Sequence, residues 1–259
     1  SDDRRIGLAI RYVTPEVRDH APGRDWAMPV RGEIPAGGWD CIAGPRGLFH
    51  PSDLALYDRI LDGQAQTLAA GATQEDYKML ERLEKPFLAM TGSRILEELR
   101  RAGEATLEGY KISRLEHGLQ SGTRAFRAGA DIDWVVGALL HDIGDGLAPQ
   151  NHDRMSAEVI RPFVRWEVSW TVEHHGLFQT LYYGHHYGWD RNARDRYRDH
   201  PLFETCAAFC EHWDQSSFDP EYPMEPLDFF EPMVNEVFSR KAYAEDVIRD
   251  GEISGLPGL

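Results

Sequence analysis

GALLHDIGDG, residues 137–146, is an apolar helical run that ends in His141-Asp142, with a glycine two residues further on. Its reading decides the fold. A purely structural role would bury the Asp142 charge with no evident partner, which is costly. A metal-binding role gives both residues a purpose. Adjacent helical side chains point about 100° apart, so His141 and Asp142 can reach two sides of one ion, or one ion and its neighbour. A carboxylate has two oxygens and can bridge two ions, whereas a neutral imidazole cannot.

Working outward, the other residues able to bind metal lie in the same part of the chain. They are His117, His152, His174-His175, His185-His186, His200, His212 and Asp214. Nine of the 11 histidines fall between residues 117 and 214, leaving only His20 and His50 outside. Imidazole and carboxylate together suit iron, zinc or manganese.

The surroundings are helical. Helices are expected from Ser52-Asp53, and from Thr73 to about Gly103 with a kink or interruption at Pro86. ISRLEHGLQSGTRAFRAGA carries Leu115, Leu119 and Phe126 at helical spacing. A stripe of small residues, Gly118, Gly122, Ala125 and Gly129, would let a neighbouring helix come close. Asp131 or Asp133 caps WVVGALLHD. Further helices are expected near 152–163, 166–176, 190–199, 202–214 and 226–248. Residues 1–50 differ: they are rich in Pro and Gly and offer one strand, RIGLAIRYV (5–13). The expected architecture is an all-α helical bundle over 51–259 with a short β-containing N-terminal arm over 1–50.

Composition limits function. The chain has 259 residues, 43 acidic against 28 basic, and a formal charge of -15. So acidic a chain is a poor match for a nucleic-acid backbone. No apolar stretch approaches the ~20 residues of a membrane span, and no signal peptide is visible. A first residue of Ser1 reads as a processed or excised piece. The three cysteines, Cys41, Cys206 and Cys210, lack the spacing of a disulfide framework, which favours a cytoplasmic setting. Cys206 and Cys210 read better as small core residues than as metal ligands.

The order His117, His141-Asp142, Asp214 resembles the HD-domain superfamily, a helical group that includes metal-dependent phosphohydrolases. The wording RLEHGLQ, GALLHDIG and NHDRMSAE is more closely similar to the HD-domain mixed-valent di-iron oxygenases. That family includes myo-inositol oxygenase and the dioxygenase that cleaves 2-amino-1-hydroxyethylphosphonate. The similarity covers roughly residues 107–240. It implies one iron held by His117, His141 and Asp214, a second held by His152 and His175, and Asp142 bridging them. Alignment through Glu173 favours His175 over His174. The implied cofactors are two Fe ions as an Fe(II)/Fe(III) pair, with O2 as co-substrate. The implied reaction is O2-dependent cleavage of a C–P or C–C bond in a small hydroxylated substrate, with a 1-hydroxy organophosphonate favoured. The substrate hydroxyl would bind at either iron. The alternative is an HD phosphohydrolase acting on nucleotides or phosphate esters, although the GYP motif of cyclic-dinucleotide enzymes is absent.

The resemblance has departures. A tyrosine–glutamate pair of the phosphonate enzyme aligns with Leu107 and Tyr110, so Tyr110 alone is left to gate the site. A lysine that grips the phosphonate is replaced by Gln179, which can hydrogen-bond but brings no charge. Arg161, Arg165, Arg191, Arg194 and Arg196 are candidates for a replacement cation, each read more simply as a solvated helix face. His185 and His186 either line the pocket or lie on a solvated loop. His200 and His212 read as structural. The arm SDDRRIGLAIRYVTPEVR resembles the last strand region of phytanoyl-CoA-type 2-oxoglutarate dioxygenases, with Arg4 or Arg5 matching the arginine that binds 2-oxoglutarate. The family's HxD motif and distal histidine are missing. A natural fusion to such a hydroxylase is expected, with an ordinary extended arm as the alternative.

Overall fold

Asp131 starts the helix that carries His141. Its side chain accepts hydrogen bonds from the backbone N–H groups of Asp133 and Trp134, so it is the cap and Asp133 is not. The computed structural model describes residues 25–27, 39–41, 74–104, 106 and 108–257. The expected strand over 5–13, Arg4 and Arg5, His20, His50, the helix expected from Ser52 and Leu107 lie outside the described residues.

Two short strands, β1 (Asp25–Ala27) and β2 (Trp39–Cys41), pair in parallel with Trp26 opposite Asp40. All other regular structure among the described residues is helical. Helix α1 (Gln74–Ala89) runs through Pro86, contrary to the break expected there. Pro86 lies in the last turn, and the helix ends three residues beyond it. The chain turns instead at Met90 and re-enters α2 (Thr91–Ala102).

Helix α3 (Arg114–Arg127) begins with a capping box: Ser113 accepts from the Glu116 N–H, and Glu116 accepts from the Ser113 N–H. This pairing satisfies two orphan donors and fixes where the helix starts. Helix α4 (Ile132–Leu140) comes next, with residues 133–140 all buried. A helix apolar on every side belongs in the interior, and α4 packs against α3, α6 and α8. Helices α5 (His152–Ile160) and α6 (Trp166–Tyr183) pack on each other. The helix expected over 190–199 is reduced to a 3-10 turn, Ala193–Tyr197. The one expected over 202–214 is α7 (Phe203–Phe209) followed by a π turn, Cys210–Asp214. The stretch 226–248 divides into α8 (Leu227–Phe238) and α9 (Glu245–Ile248). Between them Tyr243 takes a left-handed φ of 57° while its N–H bonds the Pro162 carbonyl.

The core is formed by Trp134, Leu139, Leu140, Val172, Phe178, Phe209 and Phe230, all essentially inaccessible. Each such side chain contributes on the order of 1.5–3 kcal/mol. Gly118 lets α3 approach the α4 backbone, and Gly122 meets Leu139 and Phe230. Gly129 does not join that stripe: it turns the chain beyond α3 with a φ of 81°. Asp133, buried at the start of α4, accepts from the Arg165 N–H and from Arg240 Nη1 at 2.6 Å. It therefore ties the entry of α6 to the segment after α8. No described helix is long and apolar enough to cross a membrane.

Candidate metal centre

Four helices and a π turn deliver six side chains to one place. His117 comes from the first turn of α3, His141 and Asp142 from the end of α4, and His152 from the first position of α5. His175 comes from the middle of α6 and Asp214 from the π turn. A π turn adds a residue to the helical repeat, which rotates the side chains beyond it by roughly 100° relative to a continuous α-helix.

The histidines are all oriented in one way. His117 Nδ1 donates to the Ser217 carbonyl at 2.8 Å, His141 Nδ1 to Ala138 at 2.7 Å, and His175 Nδ1 to Val172 at 2.7 Å. His152 Nδ1 bonds the Pro149 carbonyl at 3.1 Å. A carbonyl oxygen only accepts, so each Nδ1 carries hydrogen and each neutral ring keeps its lone pair on Nε2. Those four Nε2 atoms converge on the two carboxylates. Backbone anchoring of the far ring nitrogen is how metal-binding histidines are aimed.

Asp142 divides its oxygens. Oδ2 lies 3.4 Å from His117 Nε2 and 3.7 Å from His141 Nε2. Oδ1 lies 3.1 Å from His175 Nε2 and 3.3 Å from His152 Nε2. Asp214 Oδ1 lies 3.3 Å from His117 Nε2 and 3.4 Å from His141 Nε2, while its buried Oδ2 has no hydrogen-bond partner. Three overlapping ligand sets result: His117, His141 and Asp142; His141, His175 and Asp214; Asp142, His152 and His175.

This donor set fits metal ions. The Nε2 atoms of His117 and His141 face each other at 3.0 Å. With both Nδ1 groups donating elsewhere, two lone pairs meet there, and only a proton or a cation relieves the contact. In the metal-free protein, protons do part of this work. Burial disfavours the charged His117 ring, but its bonds to Asp142 and Asp214 outweigh that and raise its pKa to about 10. His175 is likewise opposed by burial but raised by Asp142 to about 9. Burial opposes ionisation of both acids, yet the charge of His141 and bonds from neighbouring histidines hold Asp142 and Asp214 well below the usual carboxylate range. Four imidazoles among six ligands favour a transition metal over magnesium or calcium.

Three of the six, His117, Asp142 and His152, line a cleft of about 200 Å³ together with Tyr110, Arg114, Asp145 and Phe218 among others. Phe218 stacks on His117 with ring centroids 4.3 Å apart. Tyr110 lies at the cleft, 59% exposed. Gln179 is buried one turn beyond His175 with Oε1 unpaired, and it does not line the cleft. His174 turns away from its neighbour, stacking on Trp170 at 3.9 Å. His200 stacks on the same indole at 4.1 Å. His185 and His186 sit exposed on the 3-10 turn after α6, and His212 is exposed. Cys206 and Cys210 are buried and free.

None of the five arginines considered from sequence lines this cleft. Arg161 pairs with Glu158 and Glu173, Arg165 with Asp131 and Asp133, and Arg194 and Arg196 lie over aromatic rings. Sequence reasoning missed Arg114, Asp145 and Phe218. The capping signature Ser113-x-x-Glu116 places Arg114 at the helix start, one turn before His117, and was the available signal for it.

A helical bundle with inward-facing histidines and aspartates defines an α-helical domain whose side chains could hold metal. Residues 114–209, from the start of α3 to the end of α7, match the family model of the HD domain. Five of the six clustered residues fall within that match. No curated protein matches the chain.

Proposed function

We propose that the cluster is a two-iron centre that uses O2 to cleave a C–P or C–C bond in a small hydroxylated substrate, a 1-hydroxy organophosphonate in the favoured case. The observation that carries this reading is the division of Asp142 between two histidine pairs. One carboxylate facing two sets of imidazoles is the arrangement a bridging ligand needs. His117, His141 and Asp214 would hold one ion, and His152 and His175 the other. The resemblance of RLEHGLQ, GALLHDIG and NHDRMSAE to the HD-domain oxygenases supports iron over other metals.

Bound iron would activate O2 and offer a Lewis-acidic site for the substrate hydroxyl, while the electrons that reduce O2 come from the substrate itself. The protein's own part comes from its residues. The Nδ1–H bonds to backbone carbonyls hold the imidazoles in the ligating tautomer. Phe218 covers the outer face of His117, and Tyr110 stands at the cleft as a gate. In the proposed reaction the carbinol carbon is oxidised to the carboxylate level by O2, the C–P bond breaks, and phosphorus leaves as inorganic phosphate.

The test is simultaneous measurement of O2 uptake and phosphate release by iron-loaded protein. A 1-hydroxy organophosphonate should give both. Phosphate release from simple phosphate esters without O2 uptake would assign the centre to the phosphohydrolases. O2 uptake with a hydroxylated amine or polyol, and none with phosphonates, would keep the oxygenase and replace the substrate.

A further inference from the structure

The cleft above the cluster has a guanidinium in its wall that no metal ligand explains. Arg114 is the first residue of α3, one helical turn before His117, and it lines the cleft together with His117, Asp142 and His152. Its Nε donates to Asp145, which lies three residues beyond Asp142 and lines the same cleft. Among the described residues its two Nη groups have no hydrogen bond. The side chain is 26% exposed, so it is partly buried and partly open to the cleft. The arginines considered from sequence all lie outside the cleft wall.

A guanidinium fixed at Nε and free at both Nη atoms is a preset fork. It matches two oxygens of a phosphonate or carboxylate in bidentate geometry, which a lysine cannot reproduce. Because His117 and Asp142 line the same cleft, a ligand small enough to fill it can touch both the fork and the cluster.

We propose that Arg114 is the specificity residue that grips the oxyanion head of the substrate, in the role for which sequence comparison offered Gln179. The inference rests on the reading of the cluster as a substrate-binding metal centre. It makes the substrate an anion rather than a neutral polyol.

The test uses metal-loaded protein and methylphosphonate, which lacks the hydroxyl and does not react. Calorimetric titration should show Arg114→Gln weakening methylphosphonate by about ten- to a hundredfold, the size of a lost charged hydrogen bond. Arg114→Lys should recover part of that loss, and Arg191→Gln, at an exposed position, should bind as wild type. Metal content of each variant is measured alongside. If acetate, and not methylphosphonate, shows the Arg114 dependence, the oxyanion grip stands and the head is a carboxylate. Equal methylphosphonate and acetate affinities in wild type and Arg114→Gln, or no binding of either by wild type, would overturn the proposal. Arg114-dependent binding of methylphosphonate, together with no O2 uptake on any hydroxylated phosphonate, amine or polyol, would overturn the oxygenase reading and leave the grip standing.

Discussion

A Cβ atom on Gly118 would lie 2.6 Å from the carbonyl oxygen of Leu139. The α3 and α4 backbones meet there, one residue after His117 and two before His141. This close approach brings the two Nε2 atoms to 3.0 Å. Within an isolated helix, alanine would be better than glycine by roughly 0.5–1 kcal/mol. Against a backbone atom, the strain of overpacking, about 1–3 kcal/mol, wins. Gly118→Ala should therefore lower stability in denaturant melts and reduce metal content together. An unchanged metal content in a variant of unchanged stability would show that the approach does not matter.

Asp142 serves both histidine pairs, so its loss should be felt by both. Asp142→Ala should lose both metals, whereas His175→Ala should chiefly weaken one. Metal counting by elemental analysis distinguishes the two. Loss of only one ion from Asp142→Ala would mean that this aspartate does not bridge.

The metal-free protein should be most stable between mildly acid and neutral pH. His117 and His175 have folded pKa values of about 10 and about 9, above their ordinary value. Their stabilisation is complete below pH ~6.5 and is lost as pH rises through those values. Asp142 and Asp214 are depressed, so their share is lost as pH falls into the acid range. The metal-free thermal midpoint should thus decline from about neutral pH toward pH 10. Loading metal at neutral pH should release protons, because the ion takes the lone pairs they occupied. A metal-free midpoint that climbs toward pH 10 would contradict this.

Asp133 offers a contrast, since it is an acid with a structural task. It is buried with Arg165 and accepts from Arg240 at 2.6 Å. Removing one partner of a buried ion pair costs about 3–5 kcal/mol. Asp133→Ala should therefore be among the most destabilising substitutions in the chain, while the folded fraction still binds metal at the wild-type stoichiometry. Destabilisation within the range of a surface substitution would show that the ion pair is dispensable.

Much of this was legible in the sequence because the residues concerned are chemically conspicuous. Histidines in an apolar helical context, and His141-Asp142 at a helix end, have few cheaper explanations. The small stripe was readable at Gly118 and Gly122 and misread at Gly129, whose positive φ serves a turn. The Arg114–Asp145 pair was not legible: its members are far apart in sequence and meet only once the capping box orients α3. The stacking of Phe218 on His117 depends on the path of a loop, which periodicity does not report. The break expected at Pro86 falls instead at Met90, four residues further on. The inward side chain of Asp214 depends on a π turn that no local propensity announces.

The most direct test is elemental analysis combined with EPR on protein purified at low oxygen. The account predicts two irons per chain and the signal of a coupled Fe(II)/Fe(III) pair, both lost in Asp142→Ala. A single zinc or magnesium per chain, bound without His152 or His175, would contradict it.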